Sequence, residues 1–155
     1  MRQDDHLSAL HPGARLQTYT IASILGAGGF GITYKAVEDI TNREVAIKEY
    51  LPAAFALRDP DGTGVRPLSE GAVRDFNWGL ERFRDEAKLL IGFRHPNIVP
   101  VLAYFEANGT GYIVMAFQEG VSLGDALRRT PTLSEAETLR CIVPLLDGIE
   151  EVHRN

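Results

Sequence analysis

Residues 26 to 36, GAGGFGITYKA, hold four glycines within six positions, a pattern that lets backbone lie close against phosphate groups. Three loops share such glycines. Gly26, Gly28 and Gly31 fit the G-x-G-x-x-G dinucleotide fingerprint, Gly26 to Thr33 nearly fit the G-x-x-x-x-G-K-[ST] phosphate loop, and the same residues suit a hairpin lid over a nucleotide. A dinucleotide site needs the glycine turn to open a helix, whose N-terminus receives the pyrophosphate. Here ITYKAV follows, with a two-residue period and β-branched residues, and that is a strand. The phosphate loop fails on chemistry, because Ile32 occupies the place of its lysine. A glycine hairpin between two strands is what remains.

About a dozen residues on, Val45, Ala46 and Ile47 lead into Lys48. A lysine among such neighbours needs a counter-charge or loses its proton. Only three of the 16 basic residues are lysine, namely Lys35, Lys48 and Lys88, so a lysine retained on a strand draws notice. The partner is expected on a helix over 75–93, where Phe76, Leu80, Phe83, Ala87, Leu90 and Ile91 form one apolar stripe. Glu86 falls at the margin of that stripe, while Glu81 and Asp85 point away, so Glu86 is expected to face the sheet and pair with Lys48.

The elements that carry these residues read as strands first and helices second. YTIASIL and ITYKAVED flank the glycines, REVAIKEYL makes a third strand, and residues 101–106 and 112–117 form a hairpin across Asn108-Gly109. Residues 52–74 read as an irregular connection with a short helix near Pro52 to Leu57, and residues 1–15 as a loose leader. After Gly120, Ser122 with Asp125 starts one helix, and Ser134 with Glu137 forms a capping box before a second helix interrupted by Pro144. The whole is an α+β chain.

Composition narrows the classes. At 155 residues, 45% apolar and 24% charged, the chain has the makeup of a folded domain, and a net charge of −5 gives no general attraction to nucleic acid. There is no signal-peptide or membrane-spanning stretch, so a cytoplasmic location is expected. His6, His11, His95 and His153 lie without partners at ligand spacing, and no metal site is expected. Cys141, alone among apolar residues, reads as a small buried side chain.

Taken together, Gly26-Ala-Gly-Gly-Phe-Gly31, Val45-Ala-Ile-Lys48, Glu86 within RFRDEAKLL, HPNIV at 95 to 99 and YIVMAFQEGVSL at 112 to 123 resemble a protein kinase in order and spacing. GGFGITY and IKEYLP resemble in particular bacterial serine/threonine kinases of the eukaryotic type. The resemblance implies an N-terminal lobe over 16–119, with a five-stranded antiparallel sheet and one long helix. The first helices of a C-terminal lobe then follow over 120–155. It implies ATP as the nucleotide, with Gly26, Ala27, Gly28, Gly29, Phe30 and Gly31 over the phosphates and Lys48 on the α- and β-phosphates, fixed by Glu86. Leu25, Ala46 and Met115 would line the adenine pocket, and the backbones of Ala116 and Gln118 would meet the adenine edge. Thr33 stands where the family commonly has valine and keeps the branched shape.

The family's catalytic base in His-Arg-Asp and its metal ligand in Asp-Phe-Gly do not occur in these 155 residues. His153-Arg-Asn155 resembles the end of the helix before the catalytic loop rather than that loop. The chain alone is therefore expected to be inactive, with Mg²⁺ required only by a completed domain and a protein as the phosphoryl acceptor. The alternative is a non-catalytic kinase-like regulatory module. In either case the apolar face over 139–152 is expected to be exposed and to serve self-association or pairing.

Overall fold

A computed structural model describes residues 8–154. The chain falls into two units, one running through Gly92 and taking in Val101–Phe117, the other made of Phe93–Pro100 and the residues from Gln118 on.

The first unit is built on six antiparallel strands in the order β1-β2-β3-β4-β8-β7. They are β1 (Arg15–Leu16), β2 (Tyr19–Gly28), β3 (Gly31–Glu38), β4 (Glu44–Tyr50), β7 (Val101–Ala107) and β8 (Thr110–Ala116). The alternation read from the sequence sorts the two faces of the sheet. Ile32, Tyr34 and Ala36 are buried on the back, where register sets them beside Glu49, Ile47 and Val45. Thr33 and Lys35 stand opposite Lys48 and Ala46 on the front. Asn108 (φ 53°) and Gly109 (φ 76°) make the tight β7–β8 turn, both with the positive φ that such a turn demands.

On the front lies α1 (Val73–Ile91), which buries Phe76, Phe83 and Ala87 of the expected stripe and half-buries Leu80 and Leu90, while Ile91, at the helix end, is exposed. Tyr50 packs between Phe76 and Phe83 with its ring tilted to both, at 5.3 and 5.4 Å between ring centroids, and joins the helix to β4.

On the back, four expectations change. The segment read as a loose leader is packed from Ser8 onward: Ala9 and Leu10 are buried, and Leu10 N donates to the Tyr34 hydroxyl at 3.1 Å. It ends in β1, which adds a sixth strand to the expected five. Residues 1–7 of that leader lie outside the described residues. The short helix expected near Pro52 to Leu57 is absent. Phe55 N and Ala56 N both donate to Pro52 O, giving a single turn, and the chain then enters β5 (Ala56–Arg58). Strand β5 pairs with β6 (Val65–Pro67) as a two-stranded ribbon inside the supposedly irregular connection. The ribbon is fixed by a buried polar cluster that composition does not show. Glu49, with no exposure, accepts from Arg58 Nη1 (2.8 Å), Arg58 Nη2 (2.5 Å), Tyr34 (2.7 Å) and Tyr112 (2.8 Å).

The second unit holds α2 (Leu123–Arg129) and α3 (Glu135–Arg154). Ser122 caps α2, and the Ser134–Glu137 capping box forms, with Ser134 N donating to Glu137 at 2.8 Å and Glu137 N to Ser134 Oγ at 3.3 Å. The HPNIV segment belongs here: Asn97 Nδ2 and His95 Nε2 both lie 3.2 Å from Asp147, and Asn97 and Ile98 lie beside Gly148. Gly148 is the buried residue of α3, whereas Leu139, Ile142, Val143, Leu145, Leu146 and Ile149 are exposed. Cys141, expected to be buried, is exposed on this helix. No helix among the described residues is long and apolar enough to cross a membrane.

Candidate nucleotide site

The site starts from strand register. Gly26 stands opposite Thr33, Thr33 opposite Lys48, and Lys48 opposite Ile113, while the next row sets Lys35, Ala46 and Met115 together. Directly opposed residues share a face, so Thr33, Ala46, Lys48 and Met115 project from the front of the sheet as one patch. The alternation also sends Lys48 and Glu49 to opposite faces, which is why the neighbouring acid does not serve the lysine.

The glycine hairpin joins β2 to β3 at Gly28↔Gly31. A register shift between Ile24 and Gly26 leaves Leu25 as the extra residue of a bulge, and its side chain is half exposed. The four glycines divide into two kinds. A β-carbon at Gly26, Gly28 or Gly29 would meet no atom of the described residues within 4 Å, so among these residues their missing side chains leave open space beside the hairpin. Gly31, at φ +153°, has the carbonyl oxygen of Glu49 1.9 Å from where its β-carbon would lie, so here glycine serves strand packing. Phe30, between them, is 78% exposed at the tip.

Between this tip and α1 lies a cavity of about 370 Å³, and three of the expected site residues, Phe30, Lys48 and Glu86, line it. The expected Lys48–Glu86 ion pair is nevertheless not formed: among the described residues no ion pair includes either side chain. Glu86 is exposed on α1, and the Lys48 ammonium lies 5.5 Å from the centroid of the Phe83 ring. An aromatic face favours a cation there without neutralising it. Tyr50 lines the same cavity, and burial raises its hydroxyl above the ordinary phenol value.

Ala116 ends β8 opposite Val45, and Gln118 belongs to the second unit, where it opens the later of that unit's two stretches. The other expected site residues all belong to the first unit. Tyr50 and Phe83 were missed as site residues by sequence reasoning. The signal for Tyr50 was its two-residue step from Lys48, which puts both on one face.

Comparison with known proteins agrees with the motif order. The family model described as protein kinase domain matches residues 19–155. The chain is 32% identical over 136 residues to "Probable serine/threonine-protein kinase pknA2" of Bifidobacterium longum, covering 88% of this chain and 16% of that protein. It is 30% identical to the serine/threonine-protein kinase PrkC of Bacillus subtilis, covering 88% of this chain and 18% of that one. Among solved structures, the apo form of PpkA-294 superposes with a TM-score of 0.89 at 35% identity, over 95% of this chain and 52% of that one. The Mycobacterium tuberculosis PknI kinase domain superposes at 0.70 and 22% identity, over 94% and 51%, a likeness of fold. The chain thus spans under a fifth of these two curated relatives and about half of these two solved chains.

Proposed function

The chain belongs to the protein kinase domain family, and from that premise we propose that it is the ATP-binding portion of a serine/threonine kinase that transfers the ATP γ-phosphoryl group to protein hydroxyls. The observation that carries this reading is the row Gly26–Thr33–Lys48 on the front of the sheet, with open space beside three of the four hairpin glycines. A lysine with no acid partner among the described residues supplies a point charge for phosphate oxygens, and backbone N–H groups of Gly26 to Gly31 supply donors. Leu25, Ala46 and Met115 would receive the adenine ring, with the backbone of Ala116 along its edge. Glu86, on the wall of the Lys48 cavity, would fix the lysine once nucleotide is present.

ATP fits these residues, and when bound it supplies the transferable phosphoryl group. Magnesium belongs with the completed domain, whose Asn after His-Arg-Asp and whose Asp-Phe-Gly hold it in the family. Neither motif occurs in these 155 residues, so in this proposal they bind ATP weakly and transfer nothing by themselves. The exposed face from Leu139 to Ile149 is then the surface on which further chain, or a second molecule, packs.

A second reading, a non-catalytic kinase-like module, is favoured by one observation, the unpaired state of Lys48 and Glu86. A radiolabelled phosphate-transfer assay on the protein carrying the completed domain separates the two. Transfer that Lys48→Ala abolishes supports the kinase; nucleotide binding without any transfer supports the module.

A further inference from the structure

The back of the sheet carries a device that acts on its front. Glu49 follows Lys48 on β4 and is held from the back by the two terminal nitrogens of the Arg58 guanidinium. Burial alone would lower the Arg58 pKa, but the hydrogen bonds and charge of Glu49 outweigh it and raise the value, so the ion pair is retained in the buried site. Arg58 is fastened further, its Nε donating to Ser8 O at 2.9 Å and Nη1 to Thr63 O at 2.8 Å. The ribbon it anchors is tied again at Val65 N, which donates to Asn108 O at 2.8 Å.

Between β4 and this anchor, residues 51–55 run beside the glycine hairpin. Leu51 N donates to Phe30 O at 3.2 Å and Ala53 N to Gly29 O at 3.3 Å. These carbonyls belong to the hairpin tip itself. One end of the segment is fixed by β4 and the other by Arg58, so its two amides are presented in place.

We propose that Glu49 and Arg58 are positioning residues for the nucleotide lid: their ion pair, on the face away from Lys48, holds residues 51–55 against Gly29 and Phe30 and so sets the height of the hairpin over the phosphates. This rests on the nucleotide reading above. Unclamped, the hairpin occupies its competent position for a smaller fraction of the time, and apparent affinity falls by that fraction.

The test uses the full-length protein and two readouts, site-resolved amide hydrogen exchange and titration with a fluorescent ATP analogue. Arg58→Met is expected to speed exchange at Leu51 and Ala53 by about tenfold and to weaken analogue binding by a similar factor. Arg58→Lys should recover part of both. Because Arg58→Met strands a buried carboxylate and can unfold the protein, the double variant Glu49→Gln/Arg58→Met is measured as well. It removes both charges, and the same local acceleration is expected from it. Wild-type exchange at Leu51 and Ala53 in the double variant overturns the proposal. So does acceleration spread evenly over β2, β3 and β4, which marks a merely structural pair, and so does local acceleration with unchanged affinity. If the wild-type protein binds no analogue, the nucleotide reading fails, and with it the lid-positioning role. The exchange data then still decide whether Arg58 holds residues 51–55.

Discussion

The Tyr50 hydroxyl occupies the space that a β-carbon on Gly79 would need, 2.0 Å from that atom, and donates to Phe76 O at 3.3 Å. A glycine inside a helix costs about 1 kcal/mol relative to alanine, and here its absence of side chain lets β4 and α1 meet. The distance between the strand of Lys48 and the helix of Glu86 is set at this contact.

Gly79→Ala is therefore expected to destabilise the fold despite its better helix propensity, by about 1–2 kcal/mol net of that gain. Tyr50→Phe in the same chain should recover part of the loss by removing the clashing oxygen. Denaturant unfolding of the two single variants and the double variant checks the cycle; independent, additive losses would show that the contact does not set the spacing.

The hairpin glycines should separate by role. Gly31→Ala forces a β-carbon against the Glu49 carbonyl at positive φ and is expected to cost about 3 kcal/mol of stability. Gly28→Ala meets no atom of the described residues within 4 Å and should leave unfolding within about 0.5 kcal/mol of wild type. Its effect is expected in nucleotide affinity instead. Equal thermal shifts for the two variants would contradict this division.

How much of this was legible in the sequence depends on range. Alternation along β3 and β4, the stripe of α1, the Asn108-Gly109 turn and the Ser134–Glu137 box are short-range patterns, and the structure keeps each of them. The grouping of Lys48, Thr33, Ala46 and Met115 followed from strand register. The back of the sheet did not follow. Residues 52–74 hold three prolines and three glycines and look unstructured in isolation. Their order comes from Arg58 meeting Glu49, nine residues earlier, while Glu49 also accepts from Tyr112 far along the chain, which no local period encodes. A carboxylate in a strand whose same-face neighbours are Val45 and Ile47 was the available clue. The Lys48–Glu86 pair was read from two faces that do converge on one cavity, yet facing the same space does not fix a distance.

The tyrosines of that cluster give a third expectation. Burial, then the negative charge of Glu49, pushes the Tyr34 and Tyr112 hydroxyls far above the ordinary phenol range, so both remain protonated donors. Tyr34→Phe or Tyr112→Phe removes one hydrogen bond to a carboxylate and should each cost about 1.5–3 kcal/mol, read from denaturant unfolding. Loss of under about 0.5 kcal/mol in both would show that Glu49 is satisfied without them.

A fourth concerns Lys48 and Glu86 as a unit. In the completed domain Lys48→Ala and Glu86→Ala should each lower phosphoryl transfer by about a hundredfold or more, with Lys48→Arg nearly as harmful and the double variant little worse than either. Because no ion pair joins them here, Glu86→Gln should leave nucleotide-free stability within about 0.5 kcal/mol of wild type. Multiplying losses in the double variant would mean that they act separately.

The central claim is that Lys48 and the hairpin glycines hold the phosphates of ATP, and calorimetric titration of wild type and Lys48→Ala with ATP and with adenosine tests it most directly. The account predicts that the variant loses about ten- to a hundredfold in ATP affinity, the worth of a charge-assisted contact, while adenosine binds both proteins equally. Equal ATP affinity in the two proteins, or a parallel loss for adenosine, would contradict it.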